Sequence, residues 1–311
     1  MKLAFNSINS GLGNNGGSRT IIKCAESIES LGHRCDIIAN VDNFNWFEHK
    51  SVINYFPRDL DVLIAVACSD VAPTLYVNGP KKAWYIRGHE NWTMSDEQLG
   101  QLYTSGIFNI VNSKGLQQLL ATYGADSKVA YQGIDFDWWE NRNLRSNDKI
   151  RIGCLYQEKP TKRWIDFVKL AEILGTKDYE YIGVGLNERN DNFLTQYWTN
   201  ASKEDLNDAY NSCHIWFAPT ELEGLHNVPV EAALCGCLIV CSDAPMNGMG
   251  FDYAFDCDTA MVYHARDIEQ AAKLIKNPNW DVIDRMFNHI KFDIGSREDN
   301  MKKMVVYLGG V

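Results

Sequence analysis

Two rhythms of apolar residues alternate along the first half of the chain. Short, nearly continuous apolar runs are separated by stretches in which apolar positions return every three or four residues. Lys2–Phe5 reads as a short buried strand, and a Gly/Asn-rich loop follows from Ser10 to Ser18. Arg19–Leu31 places Ile21, Ile22, Ala25, Ile28 and Leu31 near one helical face, and Gly32 ends it. Cys35–Ala39 is the next strand. Asp61–Ala67 (DVLIAVA) is apolar almost throughout, as a strand covered on both faces requires. Lys82–Ile86 and Ile107–Asn112 read alike. Gly115–Tyr123 reads as a helix and Lys128–Tyr131 as a strand.

Polar residues then cluster from Glu140 to Asp148 (ENRNLRSND), a candidate linker. Beyond it the alternation restarts. Strands are expected at Arg151–Leu155, Tyr179–Val184, Ile215–Pro219, Leu238–Cys241 and Ala260–Tyr263. Helices are expected at Trp164–Leu174, Lys203–Cys213, Val228–Cys235, Asp267–Ile275 and Gly295–Leu308. Repeated strand–helix units imply parallel sheets with helices on both faces. Two such runs around one linker predict an α/β chain of two Rossmann-like domains facing across a cleft. The expected bounds are 1–142 for the first domain and 143–292 for the second. A C-terminal helix is expected within 293–311.

Composition narrows the reading. A length of 311 residues allows two cores of ordinary size. At 45% hydrophobic and 23% charged residues, the chain is of the folded and not the disordered class. The net charge of −10 argues against non-specific binding to nucleic acid or anionic membrane, while leaving room for a small basic phosphate pocket. Nine cysteines are scattered without a disulfide framework, as in a reduced cytoplasmic protein. Cys235, Cys237 and Cys241 lie close together, but no second Cys/His cluster has ligand spacing, and no metal site is expected. The N-terminal apolar run is too short for a signal peptide and no stretch suits a membrane span, so a cytoplasmic location is expected.

The most informative segment is Ala218–Val240 (APTELEGLHNVPVEAALCGCLIV): strand, Gly-containing turn, helix, Gly stop, strand. The turn at Gly224 sets backbone N–H groups at a helix N-terminus on the carboxyl edge of a sheet, a ready anion site. A carboxylate inside that helix suits a pair of ribose hydroxyls. A second segment, Ile152–Trp164 (IGCLYQEKPTKRW), offers Lys159, Lys162 and Arg163 just before a helix, where cations neutralise a diphosphate. A third, Gly11–Arg19 (GLGNNGGSR), permits close backbone approach to a ligand. A dinucleotide fingerprint is the alternative there, but no clear acidic residue ends the second strand. A fourth, Trp84–Trp92 (WYIRGHENW), puts His89 and Glu90 after a strand, and histidine suits proton transfer near neutral pH.

Together with Pro219, Gly224, Asn227, Ala232 and Gly236, the pair Glu223 and Glu231 resembles the E-x7-E signature of family 4 glycosyltransferases. The resemblance runs from the N-terminal loop to about Tyr263 and is thin between Ala39 and Trp84. It implies a GT-B fold and retaining transfer of a sugar from a nucleoside diphosphate donor, with no cofactor and no tightly bound metal. By that resemblance Glu231 binds ribose and Glu223 lies beside the donor sugar and diphosphate. Lys162 matches the family's phosphate-loop lysine. The family's arginine after the strand glycine is Cys154 here, so Lys159 or Arg163 is expected to substitute. Gly16 and Gly17 border the cleft, and His89 lies near the reacting sugar. Val111–Gly115 and Gln132–Asp135 also match family landmarks, although Asn or His more often stands at Gln132. The candidate catalytic residues are therefore His89, Lys162 and Glu223. The candidate donor-binding residues are Gly16, Gly17, Lys159, Lys162, Arg163, Glu223, Gly224, Leu225, His226, Asn227 and Glu231. The acceptor is open: a glycan, a lipid-linked glycan, a small molecule or a modified DNA base. Two other activities remain open on the same scaffold, a sugar-nucleotide epimerase or hydrolase and a non-catalytic nucleotide-sugar-binding protein.

Overall fold

Parallel strands buried on both sides account for the apolar runs. The computed structural model describes residues 1–41, 51–145, 148–244 and 252–309; of the expected linker, 146 and 147 lie outside the described residues. The chain divides into two compact units, one of Met1–Ile134 with Gly295–Val311, the other of Asp135–Ile294.

The first unit begins with β1 (Lys2–Leu12), α1 (Gly16–Ser30), β2 (Arg34–Val41), β3 (Val52–Ile53), β4 (Val62–Ala65) and α2 (Cys68–Tyr76). It continues with β5 (Lys81–Ile86), α3 (Asp96–Tyr103), β6 (Phe108–Val111), α4 (Lys114–Thr122) and β7 (Ser127–Val129). The strands form one sheet in the order β3-β2-β1-β4-β5-β6-β7, with every pairing parallel. β1 runs past the expected Phe5. Its polar continuation is held by Asp70, whose carboxylate accepts from the N–H groups of Asn9 (2.9 Å) and Ser10 (3.2 Å), and the strand regains its partner at Leu12. Gly16 and Gly17 open α1 instead of lying in the preceding loop, because Asn15 caps the helix by accepting from Ser18 N at 2.9 Å.

The second unit contains β8 (Ile150–Tyr156), α5 (Trp164–Leu174), β9 (Tyr179–Gly185), β10 (Gln196–Thr199), α6 (Lys203–Ser212) and β11 (Ile215–Ala218). After these come α7 (Asn227–Leu234), β12 (Leu238–Ser242), β13 (Met261–Tyr263), α8 (Ile268–Lys276) and α9 (Val282–His289). Its parallel sheet has the order β10-β9-β8-β11-β12-β13. In both sheets the order reverses direction once, between β1 and β4 and between β8 and β11. Such switch points leave room outside the carboxyl ends of the strands for a ligand.

The first unit ends at Ile134, short of the boundary expected after residue 142. Residues 138–142 belong to the second unit because α6 holds them. Asn207 Nδ2 donates to Trp138 O (3.1 Å), Asn211 Nδ2 donates to Glu140 O (2.8 Å), and the Trp139 ring packs on Tyr210 at 5.5 Å. A final helix, α10 (Arg297–Gly309), completes the first unit. Its Met301, Met304 and Leu308 pack in one core with Ile21, Ile22, Ala25 and Ile28 of α1. Ile134 and Ser296 bridge in parallel where the chain leaves and re-enters this unit. Gly133 (φ 69) is required there, since a Cβ would lie 2.2 Å from the Arg297 Cα.

Candidate functional site

Lys162 and Glu223 follow β8 and β11, the two strands that flank the second unit's switch point. The β8–α5 loop tightens into a turn at Pro160–Lys162 and then into Arg163, which has a left-handed backbone (φ 55) and starts α5. The β11–α7 loop leads through Glu223 and Gly224 into His226, which begins α7. Backbone and side chain sew the two loops together. Glu221 N donates to Thr161 O (2.9 Å), and Thr220 Oγ1 lies within hydrogen-bond reach of Thr161 O (3.2 Å) and of Glu223 Oε1 (3.1 Å). Lys162 Nζ donates to the same carboxylate oxygen, and both side chains are largely buried, with about 15% exposure. His226 Nε2 lies 3.8 Å from that oxygen.

The charges set one another. Burial raises the Glu223 carboxyl, but Lys162, His226 and Thr220 outweigh it and hold the group below its ordinary value, so it is an anion. Burial lowers the His226 imidazole to about 4; Glu223 opposes that shift and Lys162 adds to it, so the ring is neutral. The result is one cation and one anion under a neutral imidazole, beside the first turn of a helix.

Glu231 lies inside α7, 6% exposed, and Tyr210 Oη donates to its Oε2 at 3.2 Å. A carboxylate pointing inward from a helix, oriented by a phenol, is a fixed acceptor for hydroxyl groups.

Arg163 is held by two carboxylates. Its Nε and Nη2 bind the two oxygens of Asp166 at 2.9 and 2.7 Å, and Nε is also 3.5 Å from Glu221 Oε1. Lys159 lies at the exposed start of the turn. Cys154 is buried in the core of the sheet with Ile152 and Phe217. Leu225 and His226 are buried, at 6% and 7% exposure, and Gly224 is buried with them.

The remaining candidates belong to the first unit. Gly16 and Gly17 sit at the carboxyl edge after β1. A Cβ on Gly16 would meet nothing within 4 Å, whereas one on Gly17 would crowd Arg87 Nη1 at 3.2 Å, and that same nitrogen donates to Gly17 O. His89 is buried between polar and aromatic partners. It is 5% exposed, with Nδ1 3.1 Å from Tyr103 Oη and Nε2 2.9 Å from Asp96 Oδ1, and Tyr123 packs on its ring. Both nitrogens are occupied in tying the β5 loop to α3.

No family model matches the sequence, and no curated protein matches it. Solved structures do. Sucrose-phosphate synthase from Thermosynechococcus elongatus superposes with a TM-score of 0.78 at 12% identity, over 100% of this chain and 98% of that one. HepE of Anabaena, solved with UDP and glucose, gives 0.75 at 12% identity over 100% of both chains. A glycosyltransferase from Rickettsia africae gives 0.74 at 15% identity, over 99% of this chain and 98% of that one. The chain has a GT-B fold.

In this GT-B chain the second unit gathers Lys162, Glu223, His226 and Glu231 around one loop pair and one helix. Sequence reasoning passed over Thr220, Glu221, Tyr210 and Arg266. The repeated acid in TELEG was the available signal for Glu221; Arg266 had none, because its partner lies 45 residues away. All cysteines except Cys257 are buried. Among the described residues no helix is long and apolar enough to cross a membrane.

Proposed function

We propose that the chain is a glycosyltransferase, similar to family 4 enzymes, that transfers a sugar with retention from a nucleoside diphosphate donor. The observation that carries this reading is the pairing of Lys162 with Glu223 at the switch point, on the loop that leads into the helix bearing the inward carboxylate of Glu231. Glu231 accepts from the ribose hydroxyls, with Tyr210 fixing its orientation. The diphosphate lies at the first turn of α7, where backbone N–H groups and the helix dipole favour negative charge. Lys162 then exchanges Glu223 for the phosphate oxygens as negative charge grows on the leaving group, and Glu223 turns to the sugar hydroxyls. Because a protein cation meets that charge, the reaction proceeds without a tightly bound metal. HepE has been solved with UDP-glucose, which makes UDP-glucose the first donor to test.

A thermal-shift panel of UDP-, GDP-, ADP- and dTDP-sugars tests the reading. One donor is expected to raise Tm, with about 2.7 kcal/mol of added stability at 100 times its Kd. The same donor should release its nucleoside diphosphate in the presence of EDTA. No shift and no release with any donor would overturn the reading. Release that stops with EDTA and returns with Mn²⁺ or Mg²⁺ would overturn the role given to Lys162.

A further inference from the structure

Two non-glycine residues with left-handed backbones, Arg163 (φ 55) and Arg266 (φ 72), bring their guanidinium groups to one carboxylate, that of Glu221. Arg266 grips it with both arms, Nε to Oε1 at 2.5 Å and Nη2 to Oε2 at 3.0 Å. Arg163 adds Nε at 3.5 Å from Oε1 while its own fork holds Asp166. The Glu221 side chain is only 4% exposed. The three residues come from three loops at the carboxyl edge of one sheet, following β8, β11 and β13. A left-handed backbone is disfavoured for an arginine and persists only where surrounding contacts over-determine it. Two such residues meeting on one buried anion mark an arrangement set by that anion and not by local preference. Arg163 directly follows Lys162, and Glu221 lies two positions before Glu223.

We propose that Glu221 is a positioning residue for the transfer step: through Arg163 and Arg266 it fixes the loop that carries Lys162 against the loop that carries Glu223. This rests on the glycosyltransferase reading above. Glu221 touches no reacting group. Its work is to hold the Lys162 ammonium where negative charge develops, and small displacements of such a group cost large factors in rate.

The test uses the full chain, with the donor that the panel selects, UDP-glucose first, and measures nucleotide release at varied donor. The variants are Glu221→Gln, Arg266→Gln, Lys162→Ala and the double variant Glu221→Gln/Lys162→Ala. Glu221→Gln should lower kcat by about tenfold to a hundredfold with donor KM little changed. In the double variant the loss should equal that of Lys162→Ala alone, because a lysine that is absent cannot be misplaced. A purely structural role for Glu221 would instead multiply the two losses. Unchanged kcat in Glu221→Gln, or losses that multiply, overturns the proposal. Arg266→Gln, at a more exposed position, should show the same pattern more weakly, and it carries the cycle on the same terms if Glu221→Gln does not fold. A wild-type chain that turns over none of the UDP-, GDP-, ADP- or dTDP-sugars overturns the functional reading instead, and this inference with it.

Discussion

At the scale of single residues, three side chains in the second unit make separable predictions. On the proposed reading Lys162 meets charge that grows as a diphosphate departs. Lys162→Ala should lower kcat by about 10²–10³, as loss of one preorganised electrostatic donor does. On the same reading Glu231 binds a part of the donor remote from the bond being broken. Glu231→Gln should therefore raise donor KM with kcat largely kept. Steady-state kinetics with varied donor checks both, and the opposite pattern would show the roles to be exchanged. His226 makes a stability prediction. Its pKa falls from 6.5 to about 4 on folding, through burial, with Lys162 adding to the effect. Between those values the unfolded chain binds more protons at this position than the folded one, so stability falls as pH falls through that window. By pH 5 the loss from this group is about 2 kcal/mol. Urea unfolding at pH 7 and pH 5 should show that loss in the wild type and a smaller one in His226→Gln. An equal loss in the two chains would refute the assignment.

At the scale of elements, the helix α10 is the clearest case of a segment whose value lies in where it packs. Met301 and Met304 are fully buried against the apolar stripe of α1. Met301→Ala should cost about 2–5 kcal/mol, as large-to-small core changes do, read as a lower urea midpoint. Elements of this sort were legible to differing degrees. The strands β4, β8, β9, β11 and β12 could be read directly because a parallel strand covered on both faces is a continuous apolar run. By contrast α2 carries Pro73 inside it and runs on from the apolar segment of β4, so its periodicity is masked. Only Leu99 and Tyr103 of α3 are buried, too few to show a stripe, although Ser95 and Gln98 form a capping box that spells its start. The short β10 (QYWT) has almost no apolar core to show. In the site, Lys162, Glu223 and Glu231 are legible because each sits at a fixed distance from a strand end or a glycine turn. The occupation of His89 by Asp96 and Tyr103, and of Arg163 by Asp166, is a matter of side-chain partners, which spacing along the chain does not reveal.

At the scale of the whole molecule, the two units differ in how they are built from the chain. The second is one continuous segment, Asp135–Ile294, with its own aromatic core around Phe167, Tyr181 and Phe217. The first is discontinuous and needs α10 to cover α1. A fragment of residues 135–294 should therefore unfold cooperatively by itself. A fragment of residues 1–134 should do so only when a peptide of residues 295–311 is added. Circular dichroism melts of the two fragments, with and without the peptide, check this. A cooperative melt of 1–134 alone would show that α10 contributes little.

The same discontinuity bears on birth at the ribosome. The apolar stripe of α1, with Ile21, Ile22, Ala25 and Ile28, leaves the exit tunnel early, but Met301, Met304 and Leu308 of its cover follow only after residues 135–294. At about 5–20 residues per second that interval is on the order of ten seconds. The unit translated first is thus the one completed second, and for that time its nascent sheet carries an uncovered greasy seam. A holdase that recognises aliphatic stripes has its natural window there. Slowing translation downstream of residue 134 should lengthen that exposure, and with it the yield of chain lost to aggregation, without altering a single contact of the finished protein.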